Sequence, residues 1–408
     1  MTIEPIAGGS ITSVPGFRAS GVACGLKKNG ALDLALVLSD WPCVGAAMFT
    51  TNAFQAAPVL YDRQTVAANP ESLRAVVINS GCANACTGEP GLEDTRATAA
   101  LAARELGVAP NAVLVMSTGV IGARLPMDKI AQGVRQAAAE LSATEVAGHA
   151  ASRAIMTTDT VPKTLAVRVN TQGASWTIAG MAKGAGMIHP NMATMLCAVV
   201  TDASLTPVTA RSALQEAVDA SLNRVTVDGD TSTNDTILLL ANGQAGGAPI
   251  DSVDSAAYRA FVQGLTHLTI ALAKALARDG EGATKFVEIT VQGARSERDA
   301  HIVGQAVARS LLVKTALYGQ DANWGRIVCA VGYSGVSVDP QCVSVWLGEL
   351  ELFRRGAPYD VDEARAAAIL ARDEVGIRID LGQGTEQATV WTCDLSHGYV
   401  DINAHYRT

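Results

Sequence analysis

The sequence predicts an α/β protein. Three observations indicate this: strand and helix patterns alternate along the chain, only 4% of the residues are aromatic, and 38 glycines mark frequent tight turns. A core with so few aromatic side chains has to be built from Ala, Val, Leu and Ile. The chain has 408 residues, which is long for a single core, so we expect two or three domains.

The first two thirds of the chain contain the clearest strand and helix patterns. Residues 32–40 read LDLALVLSD, which places four leucines on one face with a period of two, as in a strand. Further strands are predicted at residues 74–81, 111–119, 164–170, 175–184 and 195–200. Amphipathic helices are predicted at residues 91–107, 126–142, 205–223 and 254–278. The last of these helices ends at the polar, glycine-rich segment DGEGATK, residues 279–285.

This segment is the best candidate for a domain boundary. It divides the chain into a larger domain, residues 1–280, and a smaller C-terminal α/β domain, residues 281–408. In the smaller domain we expect one long helix at 298–319, followed by strands. Two of those strand predictions fall on RIVCAVGYSG (326–335) and YVDINAHY (399–406).

Charge and composition exclude several classes of function. The formal net charge is −8 and no basic run occurs, which argues against nucleic-acid binding and leaves small molecules or other protein chains as partners. The N-terminal sequence MTIEPIAGGS resembles neither a secretory signal nor a transit peptide, and no run of 18 apolar residues predicts a membrane span. Eight scattered cysteines indicate reduced thiols, so we expect a cytoplasmic protein.

Motifs for cofactors and metals are incomplete. The GAG at 184–186 lacks the third glycine and the helix of a dinucleotide loop. VDGDTSTND (227–235) begins with the acidic spacing of a calcium loop but lacks its central glycine and its bidentate Glu, so a polar turn is favoured. RELGVA (104–109) loosely matches an acetyl-CoA loop, but it closes a helix instead of opening one. We therefore expect no metal and no resident cofactor.

A threonine at the start of a buried strand suggests an unusual nucleophile. Thr194 follows a glycine-rich loop and a small residue, Ala193, and precedes the apolar strand MLCAVV. If the Ala193–Thr194 bond is cut by the hydroxyl itself, the freed α-amine lies on the same residue as that hydroxyl. Its ordinary pKa near 7.7–8.0 suits a general base at neutral pH. The residues alone leave open the alternative that Thr194 is an ordinary threonine at the entry of a strand.

Nine segments, in order along the chain, carry a resemblance to a known family. They are GLKKNGALDLALV, NSGCANACTG, STGVIG, AIMTTDT, AKGAGMIHPNMATMLCAVVTDA, TVDGDTSTNDT, GEGATKF, KTALYGQDANWGRI and INAHYRT. Together they span essentially the whole sequence. On these segments the chain resembles the ornithine acetyltransferase family of arginine biosynthesis, also called glutamate N-acetyltransferases.

The resemblance implies a fold, a processing event and an assembly. The implied fold is a layered α-β-β-α sandwich with a smaller C-terminal α/β domain. Self-cleavage between Ala193 and Thr194 would give an α chain, residues 1–193, and a β chain, residues 194–408. The family generally assembles as an α2β2 heterotetramer.

The resemblance also implies a reaction and the residues that perform it. Thr194 would take the acetyl group of N2-acetylornithine and pass it to glutamate, while Thr118 and Gly119 would form the oxyanion hole. The residues implied to contact substrate are Thr157, Lys183, Thr194, Glu281, Asn403 and Thr408, with Thr158 left open as an alternative to Thr157. An amino-acid substrate needs a cation for its carboxylates and an anion for its ammonium, which Lys183 and Glu281 supply. Whether acetyl-CoA is a second donor stays open.

Two alternative functions remain open at the level of the sequence. The nearer one is a related self-processing amidohydrolase or aminopeptidase with an N-terminal nucleophile, in which water discharges the acyl-enzyme. The more distant one is a non-catalytic small-molecule binding protein, in which Thr194 is structural and the chain stays intact.

Overall fold

The N-terminal part of the chain folds into one large sheet with six helices. The computed structural model describes residues 1–189, 195–359 and 362–405. The strands of this part are β1 (Thr2–Pro5), β2 (Phe17–Val22), β3 (Leu34–Phe49), β4 (Leu73–Cys82), β5 (Val113–Val120), β6 (Lys163–Asn170), β7 (Ser175–Lys183), β8 (Leu196–Thr201) and β9 (Thr236–Ala241). The helices are α1 (Ala57–Ala68), α2 (Gly88–Leu106), α3 (Met127–Ala139), α4 (Glu145–Ala154), α5 (Pro207–Asp219) and α6 (Ala256–Arg278).

The long strand β3 divides the large sheet into two layers. The strand order is β1-β6-β7-β8-β9-β3-β4-β5, and β2 also pairs with β3. The first half of β3, from Leu34 to Leu38, pairs with β2 and β4, whereas its second half, from Val44 to Phe49, pairs with β9. The register shifts between the two halves, so the strand belongs to both layers.

Burial along β8 shows how the layers pack. Leu196, Ala198 and Val200 lie in the core that also contains β4 and β5, between the two layers, whereas Cys197 and Val199 belong to the core formed with α5 and α6. Alternate side chains of a strand point to opposite faces, so a strand covered on both faces is apolar throughout. Helices α2 and α3 cover the outer face of the other layer. The predicted α-β-β-α sandwich is confirmed.

The C-terminal part contains a second sheet with its own core. Its strands are β10 (Phe286–Ala294), β11 (Ser344–Leu347), β12 (Leu350–Arg354), β13 (Ala357–Pro358), β14 (Glu374–Asp380) and β15 (Glu386–Cys393), in the order β13-β12-β11-β14-β10-β15. Its helices are α7 (Glu297–Arg309), α8 (Leu311–Tyr318), α9 (Trp324–Gly332), α10 (Glu363–Leu370) and α11 (His397–His405). Phe286, Trp391 and Cys393 from this sheet pack into the core of α5 and α6. The division at 280/281 stays a prediction.

Two strand predictions in this part were wrong. RIVCAVG forms helix α9, in which the Asn323 side chain accepts a hydrogen bond from the N–H of Arg326 at 3.1 Å and so caps the first turn. Ile327, Ala330 and Val331 are buried on one side of this helix, at helical spacing. The segment around 399–405 forms helix α11, which has no buried residue. A short apolar run fits a strand and a buried helix equally well, so periodicity alone could not separate them.

Helix α6 is long and apolar enough to cross a membrane by length and composition. However, 56% of its most apolar window is buried inside the protein, where it packs against α5, β6 and β7. A core helix passes the same test of length and composition, so this helix is weak evidence for a membrane span.

Candidate active site

Strand ends bring the predicted site residues to one edge of the large sheet. Strand β7 ends at Lys183, which pairs with Leu196 at the start of β8, and Leu196 in turn pairs with Thr236 at the start of β9. A cavity of about 130 Å³ lies at this edge. Its lining comprises Ala83, Thr118, Gly119, Ile121, Thr157, Thr158, Lys183, Gly186, Met187, Asp228, Asp230, Ser232, Thr233, Asn234, Glu281, Tyr399 and Asn403.

Six of the residues predicted for the site lie in this cavity. They are Thr118, Gly119, Thr157, Lys183, Glu281 and Asn403. Thr158 lines the cavity as well, so the choice between Thr157 and Thr158 stays open. Ala193, Thr194 and Thr408 lie outside the described residues. Met195, the residue bonded to Thr194, is buried at the same sheet edge, where its carbonyl accepts a hydrogen bond from the N–H of Thr236 at 3.1 Å.

Thr118 and Gly119 lie side by side at the end of β5, where both line the cavity. The Lys183 ammonium donates to the Thr118 hydroxyl oxygen at 3.3 Å. An ammonium can only donate, so the oxygen of Thr118 accepts and its own proton remains available for another acceptor. Gly119 has φ +129° and lies against Gly81, whose carbonyl carbon would be 2.4 Å from a Cβ at this position. Only glycine fits this part of β5.

Lys183 is a buried cation among carboxylates. Its exposed fraction is 4%. Burial lowers the pKa of the Lys183 ammonium, and the nearby Lys163 acts in the same direction, whereas Asp159, Asp235 and Glu281 act against them. The three carboxylates therefore support a charged lysine in a place where water cannot solvate it.

Asp159 ties the loop at 157–160 to the end of β7. Its carboxylate accepts hydrogen bonds from the N–H of Gly184 at 2.7 Å and from the Lys163 ammonium at 2.6 Å. Lys163 also binds Asp279, at the end of α6, at 2.5 Å. Burial alone would raise the pKa of the Asp159 carboxyl, but Lys183, Lys163 and the Gly184 N–H lower it to about 2. The ion-pair cluster therefore fixes the backbone directly after Lys183, at Gly184.

Glu281 closes the cavity next to the glycine-rich loop. Its N–H donates to the carbonyl of Ala185 at 2.9 Å, and its carboxylate accepts from the Asn403 side-chain amide at 2.7 Å. A Cβ on Gly186 would lie 2.3 Å from the Glu281 carboxylate. The loop therefore needs glycine at 186 because the carboxylate packs directly against its backbone.

Comparison of the sequence with protein-family models identifies the kind of enzyme to which this site belongs. The model of the ArgJ family matches residues 18–408. The chain belongs to the ArgJ family. It is an acetyltransferase of arginine biosynthesis, which confirms the resemblance found in the sequence.

Relatives of the ArgJ family match all or nearly all of the chain, and a solved structure matches half of it. The arginine biosynthesis bifunctional protein ArgJ of Symbiobacterium thermophilum is 52% identical over all of both chains. The mitochondrial ArgJ protein of Schizosaccharomyces japonicus is 48% identical over 96% of this chain and 93% of its own. The crystal structure of the ArgJ protein of Bacillus halodurans is 40% identical over 50% of this chain and 96% of its own, with a TM-score of 0.49.

The sequence interpretation missed the part played by the loop at 228–235. We predicted a polar turn there, but five of its residues line the cavity of this ArgJ-family enzyme: Asp228, Asp230, Ser232, Thr233 and Asn234. The Asn234 amide donates to the carbonyls of Ala83 and Ser117 at 2.7 and 2.8 Å. It thereby joins the end of β4 to β5 beside Thr118. A polar cluster directly before a fully buried strand was the available signal.

Asp235 is a second residue that sequence reasoning missed. It lies directly before β9, beside Met195, with an exposed fraction of 1%. Neither carboxylate oxygen has a hydrogen-bond partner among the residues that the structure describes. Burial raises the pKa of the Asp235 carboxyl well above its usual range, against the attraction of Lys183. Polar groups of Met195 and Ser232 also favour the charged form of this carboxyl and so lower its pKa.

The site shows no metal-ligand set in the described ranges. No group of three or more His, Cys, Asp or Glu side chains in residues 1–189, 195–359 and 362–405 is close enough to hold a metal ion. The expectation of no metal and no resident cofactor stays a prediction.

Proposed function

We propose that this ArgJ-family acetyltransferase moves the acetyl group of N2-acetylornithine to glutamate through an ester on Thr194. The observation that supports this most directly is the cavity at the sheet edge. Thr118, Gly119, Lys183 and Glu281 all line this cavity, which lies beside the strand that follows Thr194. Each of these groups answers a requirement of acyl transfer between amino acids.

The charges in the cavity suit amino-acid substrates. Ornithine carries an ammonium on its side chain, and both ornithine and glutamate carry carboxylates. Glu281 would bind the ammonium, oriented by the Asn403 amide, while Lys183 would attract the carboxylates. Such charge-assisted contacts in a buried site hold the substrate in one orientation.

In the first half-reaction Thr194 attacks the acetyl carbonyl. Its oxygen forms a bond to the carbonyl carbon, and the hydroxyl proton passes to the α-amine that processing has freed. The Thr118 hydroxyl and the Gly119 N–H would donate to the oxyanion that forms, an effect of about 3 kcal/mol for each donor. The carbon–nitrogen bond then breaks, and the departing ornithine amine takes the proton.

The second half-reaction runs in the opposite direction. The α-amine of glutamate attacks the acetyl-threonine ester, and Thr194 leaves with its proton restored. An amide is broken and an equivalent amide is made, so no external source of energy is required.

Processing and assembly belong to the same proposal. Cleavage between Ala193 and Thr194 would give chains of residues 1–193 and 194–408 that pair as α2β2. Five buried free thiols, those of Cys24, Cys43, Cys82, Cys197 and Cys393, support a reducing compartment such as the cytoplasm. Acetyl-CoA is proposed as a second donor, since the relatives that match over their full length are named bifunctional.

A gel and one variant test the nucleophile. On a denaturing gel the active wild-type protein should run as two fragments and not as a single band of about 42 kDa. Thr194→Ala should give one uncut chain that transfers no acetyl group. Thr194→Ser is the matched control, because this substitution keeps a hydroxyl at position 194. Substantial turnover by the Ala variant would rule out Thr194 as the nucleophile.

The same assay separates the transferase from a hydrolase. With N2-acetylornithine alone, the wild-type protein should accumulate a chain heavier by one acetyl group, measured by mass spectrometry. Glutamate should discharge this species much faster than water does. Discharge at the same rate without glutamate would favour the amidohydrolase alternative.

A further inference from the structure

A second, larger cavity adjoins the catalytic one. It has a volume of about 800 Å³, and Asp228 lines both cavities. We call it the α7 groove. Its lining residues are His189, Asp228, Gly229, Arg298, His301, Ile302, Gln305, Ala306, Arg309, Leu311, Tyr333 and Ser334. Nothing in the proposed transfer between ornithine and glutamate uses this groove.

One face of helix α7 forms the length of the groove. Arg298, His301, Gln305 and Arg309 follow one another at helical spacing of three or four residues, so they lie along one side. The two arginines are eleven residues apart, which is about 16 Å along the helix axis. Arg309 lies at the catalytic end, because its Nε is 3.7 Å from the position of a Cβ on Gly229.

The groove is rich in positive charge. Arg298 and Arg309 are exposed, and neither forms an ion pair with any residue in the described ranges. Burial, together with the nearby Arg309 and His301, lowers the pKa of His189 to about 4, which indicates that these groups crowd one another. Asp228 is the single carboxylate among the described lining residues, and it already accepts hydrogen bonds from the N–H groups of Met187 and Ile188.

Two buried polar groups in the groove lack partners. Gln305 is 7% exposed, and neither its amide nitrogen nor its amide oxygen has a hydrogen-bond partner among the described residues. The Nδ1 atom of His189 is also buried and unpaired within that part of the chain. Buried polar groups are nearly always satisfied in native proteins. Unpaired polar atoms, one of them the Gln305 amide donor, lie beside the exposed arginines and therefore point to a polar, anionic ligand.

We propose that the α7 groove binds the phosphate end of an acetyl-CoA-type thioester, whose acyl arm passes Asp228 into the catalytic cavity. The proposal rests on the proposed function, since the acyl group would be delivered to the same nucleophile. Two arginines about 16 Å apart match a ligand with separated phosphates. A single inorganic phosphate would fill only a small part of 800 Å³ and could not contact both.

Calorimetry on the processed protein tests the groove without relying on turnover. The probes are coenzyme A, adenosine 3′,5′-bisphosphate and inorganic phosphate. Coenzyme A should bind with a Kd below about 1 mM and compete with N2-acetylornithine. Adenosine 3′,5′-bisphosphate, which lacks the arm, should bind without competing. Inorganic phosphate should bind at least about tenfold more weakly than either, since it can reach only one arginine.

Three variants locate the binding. Arg298→Gln combined with Arg309→Gln should raise the Kd of coenzyme A at least about tenfold, as expected for two lost arginine–phosphate contacts. Arg135→Gln, an exposed arginine on α3, is the matched control and should leave the Kd within about twofold of the wild-type value. Gln305→Met should weaken coenzyme A binding while the melting temperature stays the same or rises, because an unsatisfied amide is removed.

The outcomes separate this proposal from the proposed function. Transfer from N2-acetylornithine to glutamate should be unchanged in the double arginine variant. Absence of coenzyme A binding, binding that is insensitive to both arginines, or equally tight inorganic phosphate would each overturn the groove proposal. A further outcome would also overturn it: the double variant keeps normal coenzyme A binding but has a different molecular mass in sedimentation. That result would make the groove a subunit interface. Failure of the wild-type protein to use N2-acetylornithine would instead count against the proposed function.

Discussion

Lys183 shows how a single buried side chain can serve both the fold and the chemistry. Its ammonium donates to Thr118, so the hydroxyl of Thr118 keeps its own proton for an oxyanion. Burial makes the charged form costly, and the surrounding carboxylates offset that cost. Removing this side chain should therefore affect both acetyl transfer and stability.

Replacing Lys183 with Met tests both roles. We expect kcat/KM for acetyl transfer to fall at least about a hundredfold, which corresponds to roughly 3 kcal/mol of lost transition-state stabilisation. The melting temperature should also fall, because Asp159, Asp235 and Glu281 lose the charge that compensates them. Initial rates and calorimetry measure the two effects.

Lys274→Met is the matched control for this substitution. Lys274 is a partly exposed lysine of α6, paired with Glu288 at 2.8 Å, outside the cavity. Its loss should leave kcat/KM within about twofold of the wild-type value. Near-normal activity of the Lys183 variant would contradict the assigned role.

At the scale of elements, the loop between β7 and β8 depends on a close approach of backbone and carboxylate. Gly186 has no positive φ, so its conformation suits alanine, but a Cβ there would meet the Glu281 carboxylate at 2.3 Å. Gly186→Ala should displace that carboxylate and raise KM for N2-acetylornithine about tenfold, with a smaller effect on kcat. Steady-state kinetics distinguish the two parameters.

A second glycine provides the control for Gly186→Ala. Gly173 lies in the β6–β7 hairpin, where a Cβ would meet nothing within 4 Å. Gly173→Ala should leave both constants unchanged. If Gly186→Ala lowered kcat with KM unaltered, Glu281 would act on the chemical step and not on substrate binding.

The ion-pair cluster around Asp159 joins β6, β7 and α6. It should make the free energy of unfolding depend on pH in the acidic range. The pKa of Asp159 is lowered to about 2 from 3.8, so the folded protein binds this proton less readily than the unfolded chain does. The stabilisation is therefore complete above about pH 4 and is lost as the pH falls towards 2, by about 2 kcal/mol.

Denaturant unfolding measured between pH 5 and pH 2.5 checks this loss. Asp159→Asn should be less stable than the wild type at pH 5, and the difference should shrink as the pH falls. Asp251→Asn, an exposed carboxyl, is the control. A difference between Asp159→Asn and wild type that is independent of pH would contradict the cluster's electrostatic role.

The strands and helices of the large sheet could be predicted from sequence, because the buried faces of these elements impose a regular spacing of apolar residues. Strand β8 is buried at every position since both its faces are covered, and α2 ends at Gly107, which adopts φ +67°. The C-terminal helices α9 and α11 could not be predicted in this way. The first is a short apolar run, and the second buries nothing, so neither has a diagnostic period.

The site itself was only partly accessible from sequence. Lys183, at the end of β7, and Glu281, after α6, belong to glycine-rich segments that the family resemblance identifies, and the structure brings them together. Asp235 and the loop before it carry no periodic signal, because loop conformation depends on individual hydrogen bonds such as those of Asn234. Only the tertiary structure shows that this loop supports β4 and β5.

At the scale of the whole molecule, the C-terminal part completes a cavity that the N-terminal part builds. Helix α11 contributes Tyr399 and Asn403 to the lining. It is held by polar contacts and close backbone packing: the Ser396 hydroxyl donates to the carbonyl of Gly282 at 2.5 Å, and a Cβ on Gly282 would lie 2.3 Å from the Tyr399 nitrogen. No residue of α11 is buried in a core.

This mode of attachment predicts that α11 is important for substrate binding and contributes little to the stability of the fold. Removing residues 397–408 should leave the melting temperature within a few degrees of the wild-type value, because α11 has no buried residue whose packing could be lost. KM for N2-acetylornithine should rise at least about tenfold, since Glu281 loses the Asn403 amide that orients it. Asn403→Ala should reproduce a large part of that rise, whereas Val400→Ala, a 61% exposed position on the same helix, should not. A truncated protein with normal KM would show that the cavity is complete without its C-terminal helix.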